Sequence, residues 1–477
     1  MRIDRRRALA LLGLGAAGPA AAAQAAGGVS FDHGVASGDP KADRVILWTR
    51  ITPATPGGEV AYTWRLNPVD RRAGGARRGS GVTGPGRDYT VKVDVAGLDP
   101  GRAYVFQFES QGVTSPLGRT HTLPAGPTKD LVLAIASCAL YPNGYFNAYR
   151  AIADLPRVDA VLHLGDYVYE YGGPGSYGMD SAVATARPHD PPHECVTLAD
   201  YRRRHAQYKA DPDLQAAHAR APWIVAWDDH ETCNDSYRDG GENHQPDTEG
   251  TWAARKAAAL RAYFEWMPIR EPAPGQPMAE ACARSFAFGD LAGLVMLETR
   301  LTARSKQLYY ETDLPTVDGK PDVDAFRKRL DDPERRMMSP AQEAWLGREL
   351  SRSVAAGHAW QIVGTGVVMG RLRVPVIGRD LPADFLDGVT PEVRKLVEGM
   401  QPIAQAGLPF SPDMWDGYPA DRERVYAQMK AANARPIVIS GDSHAFWANE
   451  LADASGRRVA CEFGGTSVTS PGADDYI

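Results

Sequence analysis

The sequence predicts an α/β (α+β) layered domain that follows a small all-β sandwich. From Asp130 onward, short apolar runs alternate with helical stretches, which is typical of a sheet covered by helices. Before that point, short alternating runs are separated by turns rich in glycine and proline, as in an all-β sandwich. We therefore expect a β-sandwich at residues 29–123 and a second, larger domain at residues 128–477.

The first 26 residues predict an export signal rather than a part of the fold. Met1–Arg7 is cationic, Ala8–Ala23 is a run of alanine, leucine and glycine, and Ala23-Gln24-Ala25 fits a cleavage site between small residues. The paired arginines ahead of a mildly hydrophobic stretch resemble a twin-arginine signal, so we expect a periplasmic or secreted protein. No other window approaches about 20 uninterrupted apolar residues, so we expect no transmembrane anchor.

Composition limits the classes of function that fit this chain. It has 477 residues, of which 43% are hydrophobic and 23% charged, as in a globular protein of two or three domains. Loss of residues 1–26 removes four arginines and one aspartate, which changes the formal charge from −6 to −9. Such an acidic protein is a poor candidate for stable binding of nucleic acid through its overall charge.

Cysteine is present in an odd number, and the five residues are Cys138, Cys195, Cys233, Cys282 and Cys461. In an exported protein, at least one of them is therefore free, paired between chains or bound to a metal. Up to two disulfides among the others stay open, because their pairing does not follow from the sequence.

Three runs within the predicted sandwich are typical of strands: Arg44–Ile51, Val60–Leu66 and Tyr104–Phe108. Leu98–Tyr104 resembles the turn that precedes the anchoring tyrosine of fibronectin-type sandwiches. This segment carries no evident chemistry, and Pro124–Pro127 predicts a linker to the second domain.

In the second domain, apolar runs end abruptly in polar side chains at five places. The ends of these runs are Ser137-Cys138, Gly165-Asp166, Asp228-Asp229-His230, Glu298-Thr299-Arg300 and Gly441-Asp442-Ser443-His444. Ligands of open α/β sheets lie beyond the carboxyl ends of the strands, so we expect these side chains to meet in one crevice. A single Gly-Asp would more often be an ordinary turn, but the repetition of the pattern favours a common site.

Helical signals lie between these runs. Ser339 predicts an N-cap, Pro340 the first helical position and Gln342 the second half of a capping box, in a helix that ends near Ala356. Residues 251–266 and 420–432 are predicted to be helical on similar grounds.

Two long stretches, Tyr171–Thr197 and Gly370–Tyr418, show no periodicity. Glycine and proline are frequent in both. Loops of this length in a compact domain are usually functional, so we expect them to form the walls of a substrate pocket.

The residue types at the strand ends suit two different metal ions. Asp166 can bridge two cations through its two carboxylate oxygens, and Tyr169 as a phenolate favours ferric iron. His444 suits iron or zinc, and Cys138 would enter as a thiolate. Oxygen ligands for a second, harder cation would come from Asp229, Asn234 and Asp442. Two metals about 3.5–4 Å apart clamp a phosphate and convert a bridging water into hydroxide near neutral pH.

Each of these assignments has a structural alternative. Cys138 taken alone fits a buried structural thiol equally well. Asp442 and His444 taken alone fit a hydrogen-bonded pair within a turn. The metal interpretation depends on all of the strand ends together.

The combined motifs resemble those of the PhoD-type alkaline phosphatases, which are distant relatives of the purple acid phosphatases among the metallophosphoesterases. Four stretches carry the likeness: Ser137-Cys138, Gly165-Asp166-x-x-Tyr169, Trp227-Asp228-Asp229-His230-Glu231-x-x-Asn234 and Gly441-Asp442-x-His444. Phe31–Pro40 and Trp415–Pro419 resemble two further stretches of that family. The likeness covers nearly all of the chain beyond the signal.

The resemblance implies a four-layer metallophosphoesterase sandwich with an iron–calcium centre. The implied ligands of Fe³⁺ are Cys138, Asp166, Tyr169 and His444. Asp166 would also bridge to one or two Ca²⁺ ions, whose other implied ligands are Asp229, Asn234 and Asp442. Zn²⁺ or Mn²⁺ are alternatives at the second site, and Asp228 is an alternative ligand.

The resemblance also implies an enzyme that hydrolyses phosphomonoesters and phosphodiesters, with small phosphate esters and, in some relatives, phospholipids as substrates. We predict in-line attack of a metal-bridged hydroxide on phosphorus, without a covalent enzyme intermediate. His230 is a candidate proton donor, and Arg300 is a candidate phosphate clamp because guanidinium pairs with two phosphate oxygens at once. Related sequences usually carry aspartate where this chain has Glu298, which affects the packing around Arg300.

Two other functions fit the same sequence. One is a phosphodiesterase of the phospholipase D type, and the other is a catalytically inert secreted protein that binds through its β-sandwich. We expect a monomer in each case. Related sequences generally continue beyond Gly464–Ser467, so either the protein extends past Ile477 or terminal strands with substrate contacts are missing.

Overall fold

The computed structural model describes residues 28–70, 75–179 and 182–472. The predicted export signal at residues 1–26 lies outside these ranges. No helix within them combines the length and the apolar character needed to cross a bilayer.

The strands of the described chain are β1 Val29–Ser30, β2 Val35–Gly38, β3 Arg44–Arg50, β4 Thr52–Pro53, β5 Val60–Pro68, β6 Arg77–Thr83, β7 Thr90–Ala96, β8 Ala103–Ser110, β9 Val113–Thr114, β10 Gly118–His121, β11 Leu133–Ala136, β12 Ala160–His163, β13 Trp223–Val225, β14 Arg284–Phe288, β15 Ala292–Met296, β16 Thr316–Val317, β17 Lys320–Pro321, β18 Trp360–Thr365, β19 Ile437–Ser440, β20 Trp447–Ala452 and β21 Arg458–Gly464. Its α-helices are α1 Asn147–Asp154, α2 Ala182–Ala186, α3 Leu198–Lys209, α4 Pro212–Arg220, α5 Pro246–Glu249, α6 Trp252–Trp266, α7 Tyr310–Asp313, α8 Val323–Leu330, α9 Pro340–Ala355, α10 Pro391–Gln405 and α11 Pro419–Ala431.

Two six-stranded sheets form the centre of the molecule. The first sheet has the order β11-β12-β13-β2-β3-β7, and the second has the order β14-β15-β18-β19-β21-β20. Strands β11, β12 and β13 are parallel in the first sheet, as are β15, β18, β19 and β21 in the second. One buried cluster contains Leu162 and Ile224 from the first sheet together with Leu294 and Ile362 from the second. The two sheets therefore pack face to face.

Helices cover the outer faces of both sheets. Leu346 of α9 and Met429 of α11 pack with Val363 of β18 on the second sheet. Tyr149 of α1 and Leu214 of α4 belong to the buried cluster of the first sheet. The order helix, sheet, sheet, helix confirms the four-layer fold that the sequence and the family resemblance predict.

The N-terminal segment forms a β-sandwich, but one of its sheets belongs to the larger core. A separate sheet of order β10-β8-β5-β6 shares a buried cluster with β2, β3 and β7. Those three strands extend the first sheet, since Gly38 of β2 pairs with Trp223 of β13. A Cβ at position 38 would lie 2.1 Å from the carbonyl oxygen of Pro268, so the close approach requires glycine. A hydrogen-bonded sheet thus crosses the predicted boundary near residues 123–128, and the division of the chain there stays a prediction.

The tyrosine anchor predicted for the sandwich is confirmed. The backbone N–H of Asp99 donates a hydrogen bond to the hydroxyl oxygen of Tyr104 at 3.0 Å, and the tyrosine ring is fully buried. This contact ties the turn before β8 to the strand itself.

Helix α9 begins as predicted, but the capping-box prediction for Gln342 is wrong. Ser339 caps the helix by accepting a hydrogen bond from the backbone N–H of Gln342 at 3.1 Å. The side-chain amide of Gln342 instead exchanges two hydrogen bonds of 2.8 Å with the backbone of Glu298. Gln342 therefore fastens α9 to the end of β15, a contact between elements that local sequence does not contain.

The prediction that Gly370–Tyr418 lacks regular structure is also wrong. Helix α10 lies within it, capped by Thr390 and with Pro391 at its first position. The signal Thr-Pro-Glu was present in the sequence, but the glycines and prolines around it obscured the helix. 

Candidate metal centre

Polar side chains follow the parallel strands and meet at one edge of the two sheets. Cys138 follows β11, Asp166 follows β12, and Asp442 and His444 follow β19. All four residues have positive φ values, between 55° and 65°. Non-glycine residues adopt this left-handed conformation at a cost of about 1–3 kcal/mol, so surrounding contacts must hold the turns in place.

Gly165 and Glu231 provide such contacts. A Cβ at position 165, where φ is 115°, would lie 2.4 Å from the Cβ of Asp228, so only glycine allows the turns after β12 and β13 to approach this closely. The buried carboxylate of Glu231 accepts backbone N–H groups from Asp166, Tyr167 and Asp228 at 2.7–3.0 Å. Glu231 therefore joins the two turns.

One group of donor atoms combines sulfur, nitrogen and oxygen. The thiol of Cys138, a carboxylate oxygen of Asp166 and an imidazole nitrogen of His444 lie within 4.8 Å of one another. The hydroxyl oxygen of Tyr169 lies 3.2 Å from Oδ2 of Asp166 and 3.4 Å from Nε2 of His444. Ser470 donates a hydrogen bond to that phenol oxygen at 2.6 Å. The four side chains that the resemblance assigns to iron thus converge in space.

A second group of donor atoms consists of oxygen alone. One carboxylate oxygen from each of four aspartates lies within 4.8 Å of the others: Asp166, Asp228, Asp229 and Asp442. Asp166 belongs to both groups, which is the position that a bridging carboxylate requires. Asp228, which the sequence left as an alternative, lies within this group.

The electrostatics of the cluster favour a bound cation. Burial and the charges of Asp229 and Asp228 raise the pKa of Asp166 well above its ordinary value, although His230 opposes the shift. Burial, followed by the charge of Asp166, likewise raises the pKa of the Cys138 thiol. A cation would reverse these shifts and stabilise the thiolate and the carboxylates.

The residues present therefore fit a metal. Oδ1 of Asp229 is buried and has no hydrogen-bond partner among the described residues, as expected for a ligand atom. The sulfur and nitrogen donors on one side and the oxygen donors on the other differ in the ions that they prefer. 

His230 lies beside the shared aspartate and is oriented by a buried acid. Its Nδ1 lies 2.8 Å from Oε2 of Glu170, and its ring stacks on Tyr169 with centroids 4.2 Å apart. Burial alone would lower the pKa of His230, but the charges of Asp229, Glu170 and Asp166 outweigh it and raise the pKa well above its ordinary value. These three acids therefore favour the protonated form of His230.

Arg300 lies in the same cluster, where carboxylates surround its guanidinium. Nε and Nη2 contact Asp228 at 2.7 and 3.0 Å, and Nη1 and Nη2 contact Asp413 at 2.9 and 3.1 Å. The Arg300 side chain is completely buried. Glu298 orders the same turn by accepting the backbone N–H of Arg300 at 2.9 Å. The predicted role as a phosphate clamp stays a prediction, and the contacts of Arg300 are with protein carboxylates.

Asn234 makes contacts at the margin of the site. Its Oδ1 accepts a hydrogen bond from the hydroxyl of Tyr171 at 3.1 Å, and its Nδ2 donates to Glu242 at 3.2 Å. Its predicted role as a calcium ligand stays a prediction.

The structure adds three residues to the site that the motifs did not single out. Glu170 orients His230, Asp413 binds Arg300, and Ser470 binds Tyr169. Glu170 directly follows the motif Gly165-Asp166-x-x-Tyr169, so its acidic side chain next to Tyr169 was an available signal. Asp413 and Ser470 lie in irregular segments far along the chain, where no spacing marked them.

The five cysteines are all free thiols in the structure. The disulfides that the sequence left open are therefore not formed, and Cys138 is the cysteine that lies in the donor cluster.

Comparisons with known proteins agree with this geometry. The PhoD-like phosphatase family model matches residues 133–477, and the model of the N-terminal domain of these phosphatases matches residues 17–124. The chain is 35% identical to alkaline phosphatase D of Bacillus subtilis (strain 168) over 457 residues, which cover 93% of this chain and 70% of that protein. A solved structure of PhoD matches with a TM-score of 0.74 at 33% identity and covers 92% of this chain and 77% of that one. This chain therefore belongs to the PhoD-like phosphatases and is a phosphoric ester hydrolase.

Proposed function

We propose that this protein is an exported alkaline phosphatase and phosphodiesterase that works at an iron–calcium centre. The observation that carries the proposal is the position of Asp166, whose carboxylate belongs to both donor groups and so suits two cations at once. Family membership supports hydrolysis of phosphate esters, so we do not retain the alternative hypothesis of a catalytically inert binding protein.

The choice of metals rests on the donor types. The first group, Cys138, Asp166, Tyr169 and His444, offers thiolate, phenolate, imidazole and carboxylate, which together suit Fe³⁺. The second group offers oxygen alone, which suits Ca²⁺: Asp166, Asp229, Asp442 and, by resemblance, Asn234. Bound cations of these kinds supply Lewis acidity toward a phosphate ester.

We assign proton donation to His230. The contact with Glu170 occupies Nδ1 and leaves Nε2 for the ester. As an imidazolium, His230 can protonate the departing alkoxide, which is the difficult leaving group of an alkyl phosphate. Glu170 fixes the ring, because its other oxygen is held by the backbone N–H of Asn234 at 2.6 Å.

Export and substrate range complete the proposal. The cationic segment and apolar run at residues 1–26 support export through a twin-arginine signal. The ratio of turnover of an aryl phosphate to that of a bis-aryl phosphate tests whether monoesters or diesters are preferred. Measurable turnover of neither ester by metal-loaded protein would contradict the proposed function.

Replacement of Tyr169 by phenylalanine should abolish the visible absorption band that a phenolate gives with ferric iron. The hydroxyl oxygen is the only part removed, and it is the atom that lies close to Asp166 and His444. The matched control is Tyr171→Phe, since the Tyr171 ring stacks beside Tyr169 but its hydroxyl contacts Asn234. Absorption spectra of both purified variants decide the matter, and an unchanged band in Tyr169→Phe would remove Tyr169 from the iron ligands.

Removal of calcium with a selective chelator should inactivate the enzyme reversibly. The oxygen donors of the second group hold a hard cation less tightly than the thiolate-containing group holds iron, so iron should remain bound. Elemental analysis before and after chelation, with activity after addition of Ca²⁺, Mn²⁺ or Zn²⁺, identifies the second metal. Full activity in the chelator would show that the second cation is not calcium.

A further inference from the structure

A cavity separate from the metal centre has four arginines in its lining. Its volume is about 190 Å³, and it lies between α8, α11 and the chain segments 371–373 and 407–409. Four guanidinium groups and two carboxylates line it: Arg327, Arg371, Arg373, Arg422, Asp331 and Asp416. Cationic groups therefore outnumber anionic groups around the cavity, which favours a bound anion.

Two of these arginines have hydrogen-bonding capacity that the protein does not use. Arg422 is 3% exposed; its Nη1 donates to Asp416 and to the Met369 carbonyl, but its buried Nε has no partner among the described residues. Arg373 is exposed, and its side chain has no hydrogen bond or ion pair within the described ranges. A buried donor without a partner is unfavourable, so Arg422 keeps one unsatisfied N–H in the wall of the cavity.

The other two arginines are only partly committed to protein partners. Arg371 pairs with Glu423 at 3.0 Å through Nη2 and donates to the carbonyl of Ala452 at 2.6 Å through Nη1, and Arg327 donates to the carbonyl of Ala406. Each guanidinium presents five N–H donors in a fixed fork, so both keep donors for a further acceptor.

We propose that this cavity binds a phosphate-class oxyanion, either free phosphate or the phosphate group of an organic ester. Paired guanidinium donors match the oxygens of a tetrahedral anion, and charge-assisted bonds of this kind are stronger than neutral ones. Segment 370–418 contributes to the cavity and also carries Asp413, which binds Arg300 at the metal centre. The cavity shares no lining residue with the metal centre, so the two are separate sites.

Isothermal titration calorimetry of the metal-loaded enzyme with inorganic phosphate tests the proposal. The expected result is two binding events, of which one matches the kinetic inhibition constant of phosphate at the active site. Arg373→Gln should weaken only the other event, by about tenfold, since it removes a charged donor. Because the Arg373 side chain is exposed and has no partner among the described residues, the variant should fold normally and keep its kcat/KM.

The matched control is Arg379→Gln, which removes the same charge from the same segment. Arg379 pairs with Asp380 at 2.7 Å and does not line the cavity, so both events should be unchanged. A single event equal to the inhibition constant would overturn the proposal, as would a second event that Arg373→Gln leaves unchanged. The same titration with phenylphosphonate distinguishes the two sources. Binding of phenylphosphonate at the second site would show that the site accepts the phosphate group of an ester. No binding there would show that the site accepts free phosphate only.

Discussion

Replacement of Asp166 by alanine is expected to remove bound metal and activity together. Its carboxylate is the one that both donor groups share, so its loss deprives each cation of a ligand. Loss of a single preorganised electrostatic contact already costs about a hundredfold to a thousandfold in kcat, so loss of both cations should cost at least that. Metal content by elemental analysis and turnover of an aryl phosphate should therefore fall in parallel.

The same substitution should not unfold the metal-free protein. The pKa of Asp166 is raised by burial and by neighbouring aspartates, which means that its charge is unfavourable there without a cation. The metal-free variant should therefore melt at the same temperature as the metal-free wild type or above it. Asp324→Ala is the control, because that side chain is 97% exposed. Retention of metal and activity by Asp166→Ala would contradict the bridging role.

Replacement of Arg300 by lysine is expected to destabilise the protein and to disturb the site at the same time. The guanidinium contacts Asp228 and Asp413 through paired bonds, which a single ammonium group cannot reproduce. Breaking a buried ion pair by removal of one partner costs about 3–5 kcal/mol, and lysine should cost a part of that. The measurements are the melting temperature and the values of kcat and KM for an aryl phosphate.

These measurements distinguish a positioning residue from a phosphate clamp. A positioning role predicts a lower melting temperature and a lower kcat, and Asp413→Asn should reproduce both effects more weakly because Arg300 keeps Asp228. A clamp that contacts substrate predicts a raised KM with an unchanged melting temperature, and no effect of Asp413→Asn on KM. The second pattern would contradict the role that the contacts of Arg300 indicate.

Much of the fold could be predicted from the sequence because its signals are local. Apolar runs that end in Cys138, Asp166, Asp229 and Asp442 mark strands whose carboxyl ends lie at one edge of the two sheets. The cap at Ser339 marks the start of α9, and the turn before Tyr104 marks the sandwich. Each signal depends on residues a few positions apart, so the chain order alone is enough to read it.

Two features that the sequence did not predict have the opposite origin. The sequence predicts that Gln342 completes a capping box. Its side-chain amide instead makes hydrogen bonds with the backbone of Glu298, 44 positions earlier in the chain. The sheet that joins β2 to β13 was missed because the pairing of Gly38 with Trp223 spans two predicted domains. Local pattern carries no information about contacts of this kind.

What the sequence by itself determined is the fold class and the set of donor types, because strand periodicity and the chemistry of thiol, phenol, imidazole and carboxylate belong to the residues themselves. Only the tertiary structure decided which acids surround Arg300, that Glu170 orients His230, and that Asp166 lies in both donor groups. The reason is that hydrogen bonds and Coulomb interactions between buried groups depend on distances of a few ångströms, and those distances are set by the packing of elements far apart in the chain.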